Sequence, residues 1–282
     1  MGRDRARDAV FLMPGLAWLV VFFAIPLGII FVVSLGTRDQ LGGVVLERLG
    51  LQNYQRALEP DFLPTVTNSL RYATLTTILS IAIAYPIAYW ISRYGGRRKV
   101  LLLILVMLPF WTSWVIRTYA WMIILGDSGV LNGALENLGI VDEPIALLNT
   151  DLAVVLGMTY GFLPFAILPL YVSIDRLDPA LVAAARDLYA GGRAAFWHVT
   201  LPLTMPGIIA AALLTFIPAI GDFVTPDLLG GAQTITIAKV IQSLFLSSKD
   251  WPFGAALGFL LIVTTVVATV GTLRILRREV IG

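Results

Sequence analysis

Residues 175–208 read DRLDPALVAAARDLYAGGRAAFWHVTLPLTMPGI, a stretch with six charged residues that follows one long apolar segment and leads into the next. The Asp-Pro pair at 178–179 predicts a helix start, because Asp accepts hydrogen bonds from free N–H groups and Pro suits the first helical position. The glycine pair at 191–192 predicts the end of this helix, since glycine readily adopts a left-handed cap. A second short amphipathic piece, 193–199, follows. The stretch therefore predicts a helix–turn–helix on a membrane surface.

One side of the first helix carries small and apolar residues. Leu181, Ala184, Ala185 and Leu188 recur there at helical spacing. Small side chains let the backbone of another protein approach closely. The residues alone leave two interpretations open, a contact surface for a partner protein and an interfacial helix that rests on lipid headgroups.

The composition around this stretch indicates an integral membrane protein. Hydrophobic residues make up 58% of the 282 residues and charged residues 13%, with a mean hydropathy of +0.84. Ordinary soluble domains are about a quarter charged. A soluble protein of this composition would expose large apolar patches and aggregate, so we expect lipid to be its solvent.

Six segments are long and apolar enough for helices that cross a hydrocarbon core of about 30 Å. They cover residues 9–37, 70–92, 100–126, 152–174, 204–224 and 251–273. The first is longer than the apolar region of a signal peptide, which has about 7–15 residues, and is therefore expected to be retained. We predict an all-α integral membrane protein with about six transmembrane helices, a cytoplasmic helix in loop 175–203 and a single domain over 1–282.

The basic residues predict the orientation of these spans. With the N-terminus inside, segments 1–8, 93–99, 175–203 and 274–282 are cytoplasmic and hold 13 of the 20 basic residues. Both termini are then cytoplasmic. The outer segments hold most of the acidic residues. Either the positive-inside bias leaves them there by default, or an acidic entrance attracts cations.

Several kinds of chemistry are excluded. The chain has no cysteine and one histidine, His198, so no site can use a thiolate or two histidines. His198 is expected at the surface. No lysine completes the phosphate-binding motif G-x-x-x-x-G-K-[ST]. We therefore expect no catalytic residue, metal or cofactor in this chain and no partner nucleic acid.

The opening stretch resembles the signature loop of ABC-importer permeases, whose pattern is E-A-A-x-x-x-G, nine residues, then I-x-L-P. Its segment 184–190 matches the common form A-A-R-D-L-G-A except that Tyr189 replaces Gly, and Ala183 replaces the preceding Glu. Leu201-Pro202 matches the end of the pattern. The resemblance implies a type I importer-like fold in which this loop contacts an ATPase. The residues that it assigns to ATPase coupling are Leu181, Ala184, Ala185, Arg186, Asp187, Leu188, Tyr189, Gly191, Gly192 and Pro202.

Four further segments are similar to spermidine/putrescine permeases of the polyamine, opine and phosphonate branch of these importers. They are IAYPIAYWISR (83–93), LPFWTSWVIRTYAW (108–121), GDFVTPDLLGG (221–231) and KDWPFGAA (249–256). The resemblance implies a permease subunit that translocates polyamines across the bacterial inner membrane, or else an opine, a phosphonate or another small solute. It also implies a second permease subunit, two ATPase subunits that use the ATP, and an external substrate-binding protein.

The residues themselves support a cationic substrate. Asp222 ends the fifth span, and carboxylates at membrane depth usually face a cavity or a partner. Aromatic faces attract ammonium groups. The residues that we assign to the substrate pathway are Asp222, Trp111, Trp114, Tyr119, Trp121 and Arg117. Two alternatives stay open: the aromatic residues form an interfacial belt, and Asp222 pairs with Arg117.

Two other function classes compete with an importer subunit. An intramembrane enzyme would need a convergent polar site, and the spans contain neither a histidine pair nor a Gly-x-Ser-x-Gly motif. A self-sufficient channel or carrier would need no helix on the cytoplasmic surface.

The charge bias predicts a topology that labelling can test. Cysteines placed in 93–99 and 175–203 should be inaccessible to a membrane-impermeant maleimide in intact cells, and cysteines in 38–62 and 226–250 accessible. The chain has no cysteine of its own, so every signal comes from the introduced thiol. Labelling of Gly192→Cys from outside would contradict the predicted orientation.

Overall fold

A computed structural model describes residues 13–39, 42–187, 191–232 and 234–281. The chain divides into two compact units. The first joins the described residues of Met1–Leu63 and Val240–Gly282, and the second is Pro64–Lys239.

The first unit contains two long helices and a short hairpin. Its elements are α1 (Met13–Ser34), β1 (Thr37–Arg38), β2 (Val44–Val45), α2 (Gln52–Ala57) and the long helix Trp251–Ile281. The strands pair antiparallel, with Thr37 opposite Val45. Before the long helix, Arg56 of α2 pairs with Asp250 at 2.9 Å and lies 4.0 Å from the ring centre of Phe253. This contact fixes α2 to the start of that helix.

The second unit holds most of the remaining helices. They are α3 (Leu63–Tyr94), α4 (Lys99–Met107), α5 (Trp114–Leu125), α6 (Val130–Asn137), α7 (Asp151–Asp175), α8 (Pro179–Asp187), α9 (Gly192–Leu203), α10 (Met205–Ile220) and α11 (Val224–Leu229). Helix α12 (Ile237–Leu246) leads into the first unit, where α13 is the helix Trp251–Ile281. Single 3₁₀ turns at Pro60–Phe62, Gly96–Arg98 and Leu108–Trp111 precede α3, precede α4 and follow α4.

The all-α membrane fold is confirmed. Four described helical segments are long and apolar enough to cross a membrane: Met13–Ser34, Pro60–Tyr94, Asp151–Asp175 and Trp251–Gly271. The number rises to six if each of two bent helix pairs forms one span. The six-span, single-domain organisation itself stays a prediction.

The third predicted span, 100–126, is broken. The chain bends by 82° between the helical segments Gly96–Trp111 and Trp114–Asn137. Thr112 and Ser113 have extended backbone, with ψ of 156° and 139°. The cause is local, since Pro109 cannot donate a backbone hydrogen bond and the Thr112 hydroxyl donates to the Pro109 carbonyl at 3.0 Å. The fifth predicted span, 204–224, is helical over α10, which follows a 62° bend after α9, and α11 begins at its last residue.

The helix start at 178–179 is confirmed, because the Ala180 N–H donates to Asp178 Oδ1 at 2.9 Å. The prediction that the glycine pair forms a left-handed cap is wrong. Gly191 has φ of −59°, and Gly192 begins α9. The described part of α8 ends at Asp187, and Leu188 and Tyr189 lie outside the described residues. The second amphipathic helix is α9, with a π-helical turn at Phe196–Thr200.

Helices α3, α7 and α10 form the core of the second unit through small residues. Ala84, Ala88, Ala166 and Ala211 are fully buried beside the larger Ile167, Leu170 and Ile174. Gly207 of α10 lies directly against Ser173 and Pro169 of α7. In lipid, where apolar burial gives no advantage to helix association, such close approach supplies the packing energy.

The tight contact at Gly207 predicts a large effect of one methyl group. Gly207→Ala should lower stability by about 1–3 kcal/mol, because the added carbon overlaps the Ser173 side chain. Thermal unfolding of the purified subunit in detergent measures the change. Gly28→Ala, in α1, is the control, since a Cβ there meets no atom of the described residues within 4 Å. Equal melting temperatures for the two variants would contradict the packing argument.

Candidate functional site

A cavity of about 600 Å³ lies in the second unit. Its wall comes from the broken third span, from α7 and from the end of α10. The lining residues are Met107, Phe110, Trp111, Trp114, Arg117, Gly161, Phe162, Pro164, Phe165, Leu168, Pro218, Gly221, Asp222 and Phe223. The wall is thus largely aromatic and aliphatic, with one acid and one base.

The two carboxylate oxygens of Asp222 have different surroundings. Oδ1 accepts hydrogen bonds from the N–H groups of Val224 at 3.0 Å and Thr225 at 3.2 Å, which caps the start of α11. Oδ2 is buried and accepts no hydrogen bond from the residues that the structure describes. An unpaired buried acceptor is costly, so Oδ2 is suited to accept a hydrogen bond from a donor that enters the cavity.

Arg117 is held in the cavity by aromatic rings. Its guanidinium lies 5.3 Å from the ring centre of Phe110 and 5.2 Å from that of Trp114. The Nε and Nη1 atoms are buried and have no hydrogen-bond partner among the described residues. Among the described ion pairs none joins Arg117 to Asp222, so the internal pair considered from the sequence is not formed in this structure.

The four predicted aromatic residues divide between the cavity and its surroundings. Trp111 is 82% exposed and lines the cavity together with Trp114. Trp114 packs on Phe162 with 4.7 Å between ring centres. Tyr119 and Trp121 do not line the cavity: Tyr119 is 46% exposed, and Trp121 packs edge-on against Tyr160.

Sequence reasoning missed the wall that α7 contributes. Gly161 leaves room for Trp114, because a Cβ at this position would lie 2.6 Å from the indole ring. Phe162 and Phe165 complete the wall. A signal was present in the sequence: Phe162 directly follows Gly161, and Phe165 lies three residues further along, on the same side of the helix. Nothing in the sequence assigned that face to a cavity rather than to packing.

The predicted coupling residues lie on an open surface. Leu181, Ala184, Arg186 and Asp187 of α8 are exposed, and Ala185 is half-buried. Gly191, Gly192 and Pro202 are exposed around and within α9. His198 is exposed as well, and its Nδ1 lies 3.0 Å from the Ala194 carbonyl oxygen. The described part of α8 is therefore largely exposed and can contact a partner protein or lipid.

The sequence profile of the family described as "Binding-protein-dependent transport system inner membrane component" matches residues 8–280. The chain belongs to this family. Its fold is that of an ABC-importer permease of type I. The function class predicted from the sequence, an inner-membrane transport subunit rather than an enzyme, is confirmed by this membership.

The chain is similar to two spermidine/putrescine permeases. It is 45% identical to the spermidine/putrescine transport system permease protein PotB of Haemophilus influenzae, over 85% of this chain and 84% of that protein. It is 42% identical to PotB of Escherichia coli (strain K12), over 85% and 86% of the two chains. A solved structure of a bacterial ABC transporter that imports alginate has the same fold, with a TM-score of 0.79, 20% identity and 98% of both chains covered.

Proposed function

We propose that this permease subunit translocates polyamines of the spermidine and putrescine type across the bacterial inner membrane. The similarity to the two PotB proteins supports this substrate class. In the geometry, the observation that carries the proposal is the unpartnered Asp222 Oδ2 in a cavity walled by aromatic rings. A desolvated ammonium group needs a carboxylate partner, since burying either charge alone is expensive.

The aromatic wall suits the rest of the ligand. Trp111, Trp114 and Phe162 present ring surface that can cover methylene groups and attract ammonium groups, the latter by about 0.5–2 kcal/mol each. A single carboxylate cannot neutralise a molecule that carries several ammonium groups. Further acidic groups would then come from a second permease subunit that shares the pathway.

The proposed assembly follows from what this chain lacks and what it exposes. It carries no phosphate-binding motif, so two ATPase subunits supply the ATP hydrolysis and contact the exposed α8. An external substrate-binding protein delivers the ligand to the outer face. Closure of the ATPases on ATP displaces α8, and the cavity opens alternately to each side. In this arrangement both termini and α8 lie in the cytoplasm.

A second candidate substrate is a zwitterionic solute such as an opine or an aminophosphonate. The observation that favours it is Arg117, whose Nε and Nη1 are unpartnered in the same cavity as Asp222 Oδ2. A ligand with an anionic and a cationic end would satisfy both groups. Competition decides between the candidates: excess putrescine should block uptake of labelled spermidine by the reconstituted importer, whereas an aminophosphonate should leave it unchanged.

The coupling role of α8 can be tested at Ala185. Replacing this half-buried residue with Trp should abolish substrate-stimulated ATP hydrolysis while the subunit remains in the membrane, because overpacking a tight contact costs about 1–3 kcal/mol. ATP hydrolysis by the purified complex measures the loss. Ala185→Ser is the matched control and should be close to wild type. Normal assembly and transport by Ala185→Trp would exclude this side of α8 from the ATPase contact.

The charge of Asp222 should be required for polyamine uptake. In Asp222→Asn the side-chain oxygen can still accept from Val224 and Thr225, so α11 keeps its cap and only the charge is removed. A hydrogen bond to a charged group contributes about 1.5–3 kcal/mol, so affinity should fall roughly 10- to 150-fold. Uptake of labelled spermidine into proteoliposomes gives the measurement, and Asp222→Glu should recover part of the loss.

A double variant separates substrate binding from internal pairing. If Asp222 serves the substrate, adding Arg117→Gln to Asp222→Asn restores nothing. If the two residues pair during the cycle, Asp222→Asn assembles poorly and the double variant recovers both assembly and uptake. Recovered uptake would therefore overturn the substrate contact.

A further inference from the structure

One carboxylate oxygen joins three helices, α3, α4 and α7, close to the start of α8. Asp175 is the last residue of α7, and its Oδ1 accepts hydrogen bonds from Lys99 Nζ at 2.6 Å and from Ser92 Oγ at 3.1 Å. Ser92 belongs to the last turn of α3, and Lys99 is the first residue of α4. The end of α7 is thus bound to both helices that flank the turn 95–98.

A second contact binds the link between α7 and α8. Arg93 of α3 donates from Nη2 to the Leu177 carbonyl oxygen at 3.2 Å. Leu177 is buried and lies in the short segment between Asp175 and Pro179. Because this bond goes to the backbone, it holds the path of the chain directly before α8.

The chain that follows α8 returns to the same helix. Phe196 of α9 packs edge-on against Tyr85 and Tyr89 of α3, with ring centres 5.7 and 6.4 Å apart. The hydroxyl groups of Tyr85 and Thr204 lie 2.9 Å apart. The C-terminal third of α3 therefore contacts the chain both before and after α8, and α8 itself is largely exposed.

Helix α4 connects this cluster to the cavity. It starts at Lys99 and ends at Met107, and the 3₁₀ turn that follows it, Leu108–Trp111, contributes Phe110 and Trp111 to the cavity wall. At its start, the turn from α3 requires Gly96, which has φ of +51°. A force on Asp175 acts at one end of a helix whose other end lines the cavity.

We propose that Lys99, Asp175 and Arg93 are positioning residues that transmit the movement of α8 to α4 and so to the cavity wall. The proposal rests on the proposed function, in which ATPase subunits displace α8. The Lys99–Asp175 pair is well placed for this task rather than for stability. Its side chains are 31% and 35% exposed, and ion pairs near water contribute little to the folded state.

The first experiment measures coupling in the reconstituted complex with its ATPase subunits and binding protein. Lys99→Gln and Asp175→Asn should each lower spermidine uptake per ATP hydrolysed by about fivefold or more, with ATP hydrolysis largely retained. The exchange Lys99→Asp with Asp175→Lys should restore part of the ratio. Arg71→Gln is the matched control, because it removes the exposed pair with Asp151 in the N-terminal third of α3.

The outcomes separate transmission from a merely structural role. If uptake and ATP hydrolysis fall together with the amount of assembled complex, the cluster is structural and the proposal fails. If the ratio is unchanged in Lys99→Gln, the proposal fails as well. A change in Arg71→Gln equal to that in Lys99→Gln would show a general effect of lost surface charge and would also overturn it.

A second measurement does not depend on the substrate. Spin labels on Val100→Cys and Ala180→Cys report the distance between α4 and α8 in a chain that has no other thiol. The distance should stay constant when ATP binds to the otherwise wild-type complex and should change in Lys99→Gln. An equal change in both overturns the link. If the complex transports no polyamine, the proposed function fails, while this distance still decides the link.

Discussion

The structure depends on the fact that lipid offers no hydrogen-bond partner to the backbone. Long apolar segments must then be helical, and an irregular backbone at membrane depth is tolerated where it borders a cavity or is buried in protein. Thr112 and Ser113 are extended between two apolar helices, and the residues on both sides of them line the cavity. The break in the third span and the presence of the cavity therefore belong together.

Glycine determines how close the walls of this cavity come. At Gly161 a side chain would displace the indole ring of Trp114, and at Gly207 it would separate α10 from α7. Trp114 in turn carries the Arg117 guanidinium on its face. The position of a charged group inside the cavity thus depends on the absence of a methyl group on the neighbouring helix.

The sequence predicted the membrane class, the helix start at Asp178 and four residues of the cavity wall, because each depends on composition or on local chemistry. It could not predict the bend at Thr112, since Pro109 is equally compatible with a kinked but continuous helix. The sequence also could not predict that Trp114 lines the cavity while Trp121 does not. Both lie in one aromatic run, and only the packing of α7 turns the first toward the cavity and the second toward Tyr160.

The helical segment Pro60–Tyr94 has 35 residues, so at about 1.5 Å per residue it is about 50 Å long. A hydrocarbon core of about 30 Å covers little more than half of it. The segment must tilt, or extend beyond the bilayer at one or both ends. It carries two ionic contacts that both prefer water: Arg71–Asp151, about a third of the way along the segment, and the cluster around Asp175 at its C-terminal end. Bilayer thickness therefore affects this subunit directly. A thinner or thicker membrane changes the tilt of the segment, and with it the depth of one ionic contact relative to the other.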